Sequence, residues 1–239
     1  MSIITIENIC KNYKTTLALN NVSLNINKGE LFGLLGVNGA GKTTLIKILC
    51  GLTKKTSGKV IINDYDLDNE IDKIKEIIDI SPQETSVANN LTVKENLDFF
   101  ANIYNTNNPD HINEIISTFN LNDVLNKRAK TLSGGYKRRL SIAIALISKP
   151  QILFLDEPTL GLDVFARREL WNIIKKLQKN ITIILTSHYL EEIENLCDRV
   201  AILSKGKLLQ TGTIEEIKKL TNKDKFEDAF IKLVEEKDE

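Results

Sequence analysis

The sequence has little cysteine, no surplus of charge and no long apolar run. Its 32 Lys and Arg residues balance 32 Asp and Glu residues, so it lacks the basic excess typical of nucleic-acid-binding proteins. The three cysteines, Cys10, Cys50 and Cys197, are far apart without metal-ligand spacing, which indicates reduced thiols in a cytosolic protein. No apolar stretch approaches the roughly 18 residues of a membrane-spanning helix, and no signal-peptide pattern opens the chain. We therefore expect a cytoplasmic protein that does not cross a membrane by itself.

What is present is an alternation of apolar strands and amphipathic helices over most of the 239 residues. The runs QILFLDE and ITIILTS are continuously apolar, as expected of parallel strands covered on both faces. IITIENI and NVSLNI predict strands of an antiparallel edge layer, and a turn at Lys205-Gly206 predicts a terminal hairpin. From Leu91 to Ser148 the pattern is mainly helical. The sequence thus predicts an α/β sheet interrupted by a helical insert and followed by a short helical tail.

The segment GVNGAGKTT, at residues 36–44, matches the phosphate-binding pattern G-x-x-x-x-G-K-[ST] between an apolar strand and a helix. Its glycines let backbone N–H groups turn toward phosphates, and the helix N-terminus adds positive potential. Lys42 would reach the β- and γ-phosphates, and the Thr43 hydroxyl would ligate Mg²⁺. A glycine-rich turn that only caps a helix is the alternative. The predicted nucleotide-binding residues are Gly36, Asn38, Gly39, Ala40, Gly41, Lys42, Thr43 and Thr44.

The run ILFLDEP ends a predicted buried strand with two acids, Asp156 and Glu157. Parallel α/β sheets bind ligands at the C-terminal ends of their strands, so these acids should face the phosphates. Asp156 suits contact with Mg²⁺, and Glu157 could orient or deprotonate an attacking water. An acidic strand end that merely caps the next helix is the alternative.

The run LSGGYKRRLSIA, at residues 132–143, is a poor start for a helix. Glycine costs helix stability, and Lys137, Arg138 and Arg139 lie where the helix macrodipole disfavours cations. These cations could turn toward acidic neighbours, which the sequence does not identify.

In motif content and motif order, the chain resembles the nucleotide-binding subunit of an ABC transporter over nearly its whole length. The motifs are the P-loop, SPQE, LSGGYKRRL, LFLDEPTLGLD and TSH. The resemblance implies an α/β P-loop NTPase cassette with a RecA-like mixed sheet core, an antiparallel β edge layer and an inserted helical subdomain. It implies an ABC ATPase domain over 1–220, with its core in 1–84 and 149–220 and the helical subdomain at about 85–148. A helical tail would occupy 221–239.

The resemblance also implies roles for side chains outside the P-loop. Tyr13 would stack on adenine, Gln83 would contact Mg²⁺ or the attacking water, and His188 would touch the γ-phosphate. Asp163 would lie at a dimer seam near the partner's P-loop. Judged by its residue type and place alone, Tyr13 could instead be a half-buried strand tyrosine, and Asp163 a helix N-cap. His111 lies on a polar helix, where we expect it to be solvated.

In this family two subunits pack head to tail, and each ATP lies between the P-loop of one and the signature motif of the other, which is LSGGYKRRL in this chain. The resemblance therefore implies that Ser133, Gly134 and Gly135 present backbone N–H groups to an ATP held by a partner. An anion at that position would make the helix start favourable. Tyr136 stands where the family commonly has Gln, which leaves the neighbouring contacts open. With one cassette in the chain, the site would be complete only in a dimer, of identical or different cassettes.

The implied activity is ATP hydrolysis with Mg²⁺, on the cytoplasmic face of a membrane, to drive separate permease subunits. The run EPTLGLDVFARRELWNII and the tail resemble a bacterial and archaeal subfamily of drug, antibiotic and sodium exporters, so we favour export. The helical insert would dock a permease coupling helix, with Gln83 at its hinge. An importer ATPase, a soluble ABC-type ATPase acting on ribosomes or DNA, and a non-hydrolysing interaction module are the alternatives. The balanced charge predicts no nucleic-acid partner.

Overall fold

The computed structural model describes residues 1–106 and 108–236. The strands are β1 (Ser2–Tyr13), β2 (Thr16–Asn27), β3 (Leu31–Leu35), β4 (Ser57–Ile62), β5 (Tyr65–Asp66), β6 (Ile78–Ser81), β7 (Ile152–Asp156), β8 (Thr182–Ser187), β9 (Arg199–Ser204) and β10 (Lys207–Gly212). The α-helices are α1 (Lys42–Leu49), α2 (Ile71–Lys75), α3 (Val93–Ile103), α4 (Pro109–Thr118), α5 (Gly134–Ala145), α6 (Val164–Leu177), α7 (Leu190–Leu196), α8 (Ile214–Thr221) and α9 (Phe226–Glu236).

The chain divides into two compact units, and the first comprises Met1–Lys75 and Thr182–Glu239, of which 237–239 lie outside the described residues. It contains an antiparallel sheet in the order β2-β1-β4-β5 and a mixed arrangement in the order β10-β9-β3-β8. In the latter, β3 runs parallel to both β8 and β9, whereas β10 pairs antiparallel with β9. The predicted edge layer and terminal hairpin are both confirmed.

The strands of the first unit follow their hydrophobic patterns. In β2, the side chains of Val22, Leu24 and Ile26 are buried and alternate with exposed neighbours, because successive side chains of a strand point to opposite faces. Every residue of β3 and β8 is buried, as expected of parallel strands covered on both faces. Two continuous apolar runs are therefore placed in the interior of this unit.

The second unit comprises Glu76–Ile181, within which residue 107 lies outside the described residues. Its strands β6 and β7 are parallel, and its helices are α3 to α6. Helix α3 begins with a capping box, in which Thr92 accepts from the Glu95 amide and Glu95 accepts from the Thr92 amide. Helix α4 has Asn108 at its N-cap and Pro109 in its first turn, an arrangement that starts a helix sharply.

The predicted α/β fold class is confirmed, although the short helices α2, α7 and α8 were not singled out from the sequence. The two units divide the chain differently from the predicted boundaries at 1–84, 85–148 and 149–220, and those boundaries stay a prediction. In the predicted tail, α9 buries Phe226, Ala229 and Leu233 and packs against α7, α8 and β10, while 237–239 lie outside the described residues. Among the described residues, no helix has both the length and the apolar character needed to cross a membrane.

Candidate functional site

The P-loop joins β3 to α1 in the first unit. Gly39 and Gly41 have φ angles of 82° and 103°, which lie in a region that side-chain-bearing residues rarely adopt. Gly41 is also the N-cap of α1, so no side chain caps the first turn at that position. Lys42 is only 5% exposed, and its ammonium donates to the carbonyl oxygen of Gly36 at 2.6 Å. The loop therefore holds a buried cation beside a helix N-terminus, which together attract a phosphate.

The turn between β9 and β10 contacts the P-loop through a backbone hydrogen bond. The Gly206 amide donates to the Ala40 carbonyl at 3.1 Å, and the Gly206 carbonyl accepts from the Asn20 amide at 2.8 Å. A Cβ atom on Gly206 would lie 2.6 Å from the Ala18 carbonyl oxygen, and one on Gly41 would lie 2.8 Å from the same oxygen. Sequence reasoning recognised Gly206 only as a hairpin turn and missed this supporting contact.

Tyr13 and His188 are placed in the first unit with accessible rings. The Tyr13 side chain ends β1 with 44% exposure, and the Lys11 ammonium lies 4.6 Å from its ring centroid. His188 follows β8, and its ring centroid lies 4.1 Å from that of Tyr189. The Ser187 hydroxyl accepts from the Tyr189 amide at 2.9 Å, which fixes the backbone around His188. These contacts leave the predicted adenine and phosphate roles as predictions.

The end of β7 carries the two predicted acids of the second unit. Asp156 is 4% exposed and Glu157 is 7% exposed, both unusually buried for carboxylates. Glu157 has a φ angle of 49°, although it has a Cβ atom and precedes a proline. Both properties disfavour this backbone conformation, and such strained residues cluster at functional sites.

Two of the three cations at the start of α5, Arg138 and Arg139, have contacts within the second unit. Arg138 is 4% exposed and donates to backbone carbonyls, including those of Asp156 at 2.8 Å and Pro158 at 2.9 Å. Arg139 is 6% exposed and forms an ion pair with Glu169. Arg139 therefore has an acidic neighbour of the kind considered from the sequence. Arg138 binds backbone carbonyl groups at and just after the end of β7.

The signature glycines begin α5, and Ser133 is its N-cap. Neither glycine has a positive φ angle. A Cβ atom on Gly135 would lie 3.1 Å from the Ala166 Cβ atom, so this glycine allows α5 to pack closely on α6. A Cβ atom on the exposed Gly134 would meet only Leu162, at 3.9 Å, which is an ordinary contact. Among the residues that the structure describes, neither backbone conformation nor packing explains the glycine at position 134.

Asp163 is the N-cap of α6, and its carboxylate accepts from the amides of Phe165 at 2.9 Å and Ala166 at 3.0 Å. The helix-capping interpretation is thus confirmed, while a role at a dimer seam stays a prediction. Beside this cap, Val164 is 58% exposed and Phe165 is 88% exposed, an unusual setting for large apolar side chains.

Gln83 is exposed and follows β6 in the second unit, and its carbonyl oxygen accepts from Arg138 at 3.4 Å. The contact involves only its backbone, so the predicted role of its side chain stays a prediction.

The expectation that His111 is solvated is wrong. Its side chain is only 14% exposed, and its Nε2 atom lies 3.2 Å from the Leu146 carbonyl oxygen. The residue faces the end of α5, and sequence periodicity over one short helix did not reveal that neighbour.

A half-buried carboxylate, Asp79, links β6 to residues that follow α3 and α5 in the second unit. Asp79 accepts from the hydroxyls of Ser148 at 3.0 Å and Tyr104 at 3.2 Å. Burial raises the pKa of the Asp79 carboxyl, and hydrogen bonds from Ile80, Ser148 and Tyr104 oppose that shift. Burial and the Asp79 charge raise the pKa of Tyr104 to about 12. Sequence reasoning did not single out this group.

Comparison with known families agrees with this geometry. The sequence profile of the family described as "ABC transporter" matches residues 19–160. The probable multidrug ABC transporter ATP-binding protein YbhF of Escherichia coli is 35% identical over 246 residues, covering 99% of this chain and 42% of YbhF. The linearmycin resistance ATP-binding protein LnrL of Bacillus subtilis is 39% identical over 211 residues, covering 87% of this chain and 68% of LnrL. The chain thus spans less than half the length of YbhF.

Solved structures are similar over nearly the whole chain. A structure described as the ATP-binding subunit of an ABC transporter has a TM-score of 0.86 at 26% identity, covering 98% of this chain and all of that one. A dimeric post-hydrolysis structure of the ATP-binding cassette MJ0796, bound to ADP and Pi, has a TM-score of 0.79 at 27% identity. That alignment covers 88% of this chain and 98% of the MJ0796 chain. The resemblance inferred from the motifs is confirmed: this protein belongs to the ABC transporter family and carries its ATP-binding domain.

Proposed function

We propose that this chain binds and hydrolyses ATP as the nucleotide-binding subunit of an ABC transporter. The observation that carries the proposal is the P-loop itself. Its buried Lys42 lies against the Gly36 carbonyl, beside a helix whose N-cap is the glycine Gly41. A triphosphate is the ligand that best matches a fixed cation, inward-turning backbone amides and a helix N-terminus.

The proposed chemistry assigns roles to polar side chains inside and outside the P-loop. Lys42 binds the β- and γ-phosphates, and Tyr13 supports the adenine ring through its exposed face. Glu157 orients or deprotonates the attacking water, with His188 on the γ-phosphate. The burial of Glu157 strengthens its electrostatic effect, because the surrounding dielectric is low.

Mg²⁺ fits the donor set of this chain. Among the described residues, no cluster of three or more His, Cys, Asp or Glu side chains could hold a metal by itself. In nucleotide sites, Mg²⁺ is usually bound by one or two protein groups together with phosphates and waters. Thr43, Asp156 and Gln83 are the candidate protein groups in this chain. When bound, the ion would neutralise charge on the phosphates.

We further propose that two cassettes close around ATP, as homodimer or heterodimer. The amides of Ser133, Gly134 and Gly135 would bind the γ-phosphate held by the other copy, with Asp163 near the partner's P-loop. The glycine at position 134 supports this, because no contact in the described part of the chain requires it. The exposed Phe165 beside that surface fits burial against a second cassette. The solved MJ0796 cassette is itself dimeric.

The partner of the dimer is proposed to be an integral membrane permease, which would hold this chain on the cytoplasmic face of a membrane. The helical segment Leu91–Ser148 would dock it, with Gln83 as the hinge. The similarity to YbhF, a probable multidrug transporter protein, and to LnrL, a linearmycin resistance protein, supports an exporter. The balanced charge of the chain gives no support to the alternative in which it acts on ribosomes or DNA.

The test compares wild type with Glu157→Gln and Lys42→Met. Wild type should hydrolyse ATP, and Glu157→Gln should bind ATP with little change in Kd yet lose about a hundredfold or more in kcat. With ATP, Glu157→Gln should also double its apparent mass from 27.0 kDa in size-exclusion chromatography. Lys42→Met is the matched control, because it should neither bind ATP nor form that dimer.

Unchanged hydrolysis in Glu157→Gln would show that this carboxylate is not the group acting on water. Absence of ATP binding by wild type would instead favour a non-hydrolysing interaction module. Co-purification with ribosomes or DNA, rather than with membrane permease chains, would contradict the transporter assignment.

A further inference from the structure

Arg138 holds the backbone on both sides of Glu157. Its Nη2 atom donates to the carbonyl of Asp156 at 2.8 Å, and its Nε atom donates to the carbonyl of Pro158 at 2.9 Å. Glu157 lies between these two carbonyls with a φ angle of 49°. A residue held in such a sparsely populated conformation needs surrounding contacts that determine it. Arg138 supplies two of them, one on each side.

The same guanidinium also reaches the segment that carries Gln83. Its Nη1 atom donates to the carbonyl of Pro82 and, at 3.4 Å, to that of Gln83. One turn further along α5, the Ser141 hydroxyl lies 3.1 Å from the Ser81 hydroxyl in a buried contact. Residues three apart share one face of a helix, so a single face of α5 contacts the ends of both β6 and β7.

The chemistry of these contacts requires arginine. Four carbonyl oxygens from two chain segments need a donor with several N–H groups in a fixed planar arrangement, and a guanidinium has five. An ammonium group is a compact donor on a flexible stem and would not span the same set. The charge assists each of these hydrogen bonds, which strengthens them relative to neutral ones.

We propose that Arg138 is a positioning residue that couples the start of the signature helix to Glu157, so that an anion bound at Ser133–Gly135 regulates hydrolysis by this same chain. The proposal rests on the proposed function, in which Glu157 acts on the attacking water. Gly134 and Arg138 are separated by four residues, or about 6 Å along a helix. An anion that fixes the first turn of α5 thereby fixes Arg138, and with it the carbonyls that flank Glu157.

This coupling gives a function to Arg138, one of the three cations in LSGGYKRRLSIA that the helix macrodipole disfavours. A partner's ATP would be sensed at the N-terminus of α5, and Glu157 would be aligned in the chain that senses it. Each copy in a dimer would then hydrolyse its own ATP only when its signature is also occupied.

The experiment compares Arg138→Met with Arg139→Met. Both arginines are buried in α5, but the side chain of Arg139 pairs with Glu169 and lies over the ring of Tyr136 at 4.0 Å. Arg138→Met should lower kcat at least tenfold while the Kd for ATP stays within twofold. Arg139→Met should keep kcat within about twofold, even if its melting temperature falls as much as that of Arg138→Met. Equal losses of kcat in the two variants would show a general packing effect and overturn the proposal.

A double variant tests whether Arg138 acts on Glu157 or on the signature motif itself. In Glu157→Gln, adding Arg138→Met should leave ATP-dependent dimerisation intact, because the Ser133–Gly135 amides remain. Loss of the dimer would assign Arg138 to the signature surface itself and overturn the proposal. Arg138→Lys provides a milder change, with kcat expected to fall at least fivefold.

The outcomes also distinguish this proposal from the proposed function. Full activity in both Arg138 variants, with an active wild type, would overturn only the coupling. An inactive wild type would overturn the proposed function and the coupling with it.

Discussion

Gly134→Ala is expected to make the chain more stable and less active. Gly134 is exposed, has no positive φ angle, and a Cβ atom there would meet only Leu162, at 3.9 Å. Replacing glycine by alanine at such a position reduces the entropy of the unfolded chain, which raises the free energy of unfolding by about 0.4–1 kcal/mol. For a chain of this size, 1 kcal/mol corresponds to a rise in melting temperature of roughly 2–4 °C.

The same methyl group should impair function, because it would stand where we propose that a partner's γ-phosphate approaches the α5 amides. We expect at least a tenfold loss in turnover, about 1.4 kcal/mol, with the Kd for ATP at the P-loop unchanged. The assays are thermal unfolding, ATP titration and size-exclusion chromatography in the Glu157→Gln background. Gly135 is a poorer position to test, because a Cβ atom there lies 3.1 Å from that of Ala166.

Two results would refute the reasoning. A fall in melting temperature for Gly134→Ala would show that the helix start requires glycine within the chain. Full turnover and full dimerisation would show that nothing approaches the amides closely.

Three further expectations follow from single contacts. Phe165→Ser should change the free energy of unfolding by less than about 0.5 kcal/mol, because Phe165 is 88% exposed, yet weaken the ATP-dependent dimer in size-exclusion chromatography. The pKa of Asp79 is raised above 3.8, so the folded state holds that proton more tightly and stability falls as pH rises from there. Asp79→Asn should therefore reduce the loss of melting temperature that accompanies a rise of pH above 3.8, and an unchanged slope would exclude Asp79 as its source. Gly206→Ala should lower both the melting temperature and the ATP affinity, because its Cβ atom would lie 2.6 Å from the Ala18 carbonyl oxygen. Unaltered ATP affinity in calorimetry would show that Gly206 does not support the P-loop.

Local patterns were sufficient where one segment carries the whole signal. The P-loop spacing between an apolar strand and a helix identified its element context, and β3 and α1 lie on either side of it. Alternation of apolar residues located β2, and continuous apolar runs located β7 and β8. The family followed from motif order, which the comparisons confirm. These features depend on residues close in sequence, so they can be read without a structure.

Contacts between distant segments could not be read in this way. His111 lies on a helix whose sequence looks polar, but its ring nitrogen faces the Leu146 carbonyl 35 residues later. Gly206 looked like a turn residue, and its second role depends on the approach of Ala18 and Ala40. No sequence pattern specifies such distances, because they arise only when the elements pack.

The segment LSGGYKRRLSIA shows most clearly which properties the sequence determines and which depend on the tertiary structure. The sequence determined that a serine and two glycines open a helix that also carries three early cations, and that this start is unfavourable without an anion. Only the tertiary structure decided that Gly135 lies where α5 packs closely on α6, whereas a Cβ atom on Gly134 would make an ordinary contact. It also decided that Arg138 is buried against the carbonyls around Glu157. The physical reason is that hydrogen-bond partners and close approaches are properties of three-dimensional neighbours, whereas helix propensity and macrodipole effects are properties of the local chain.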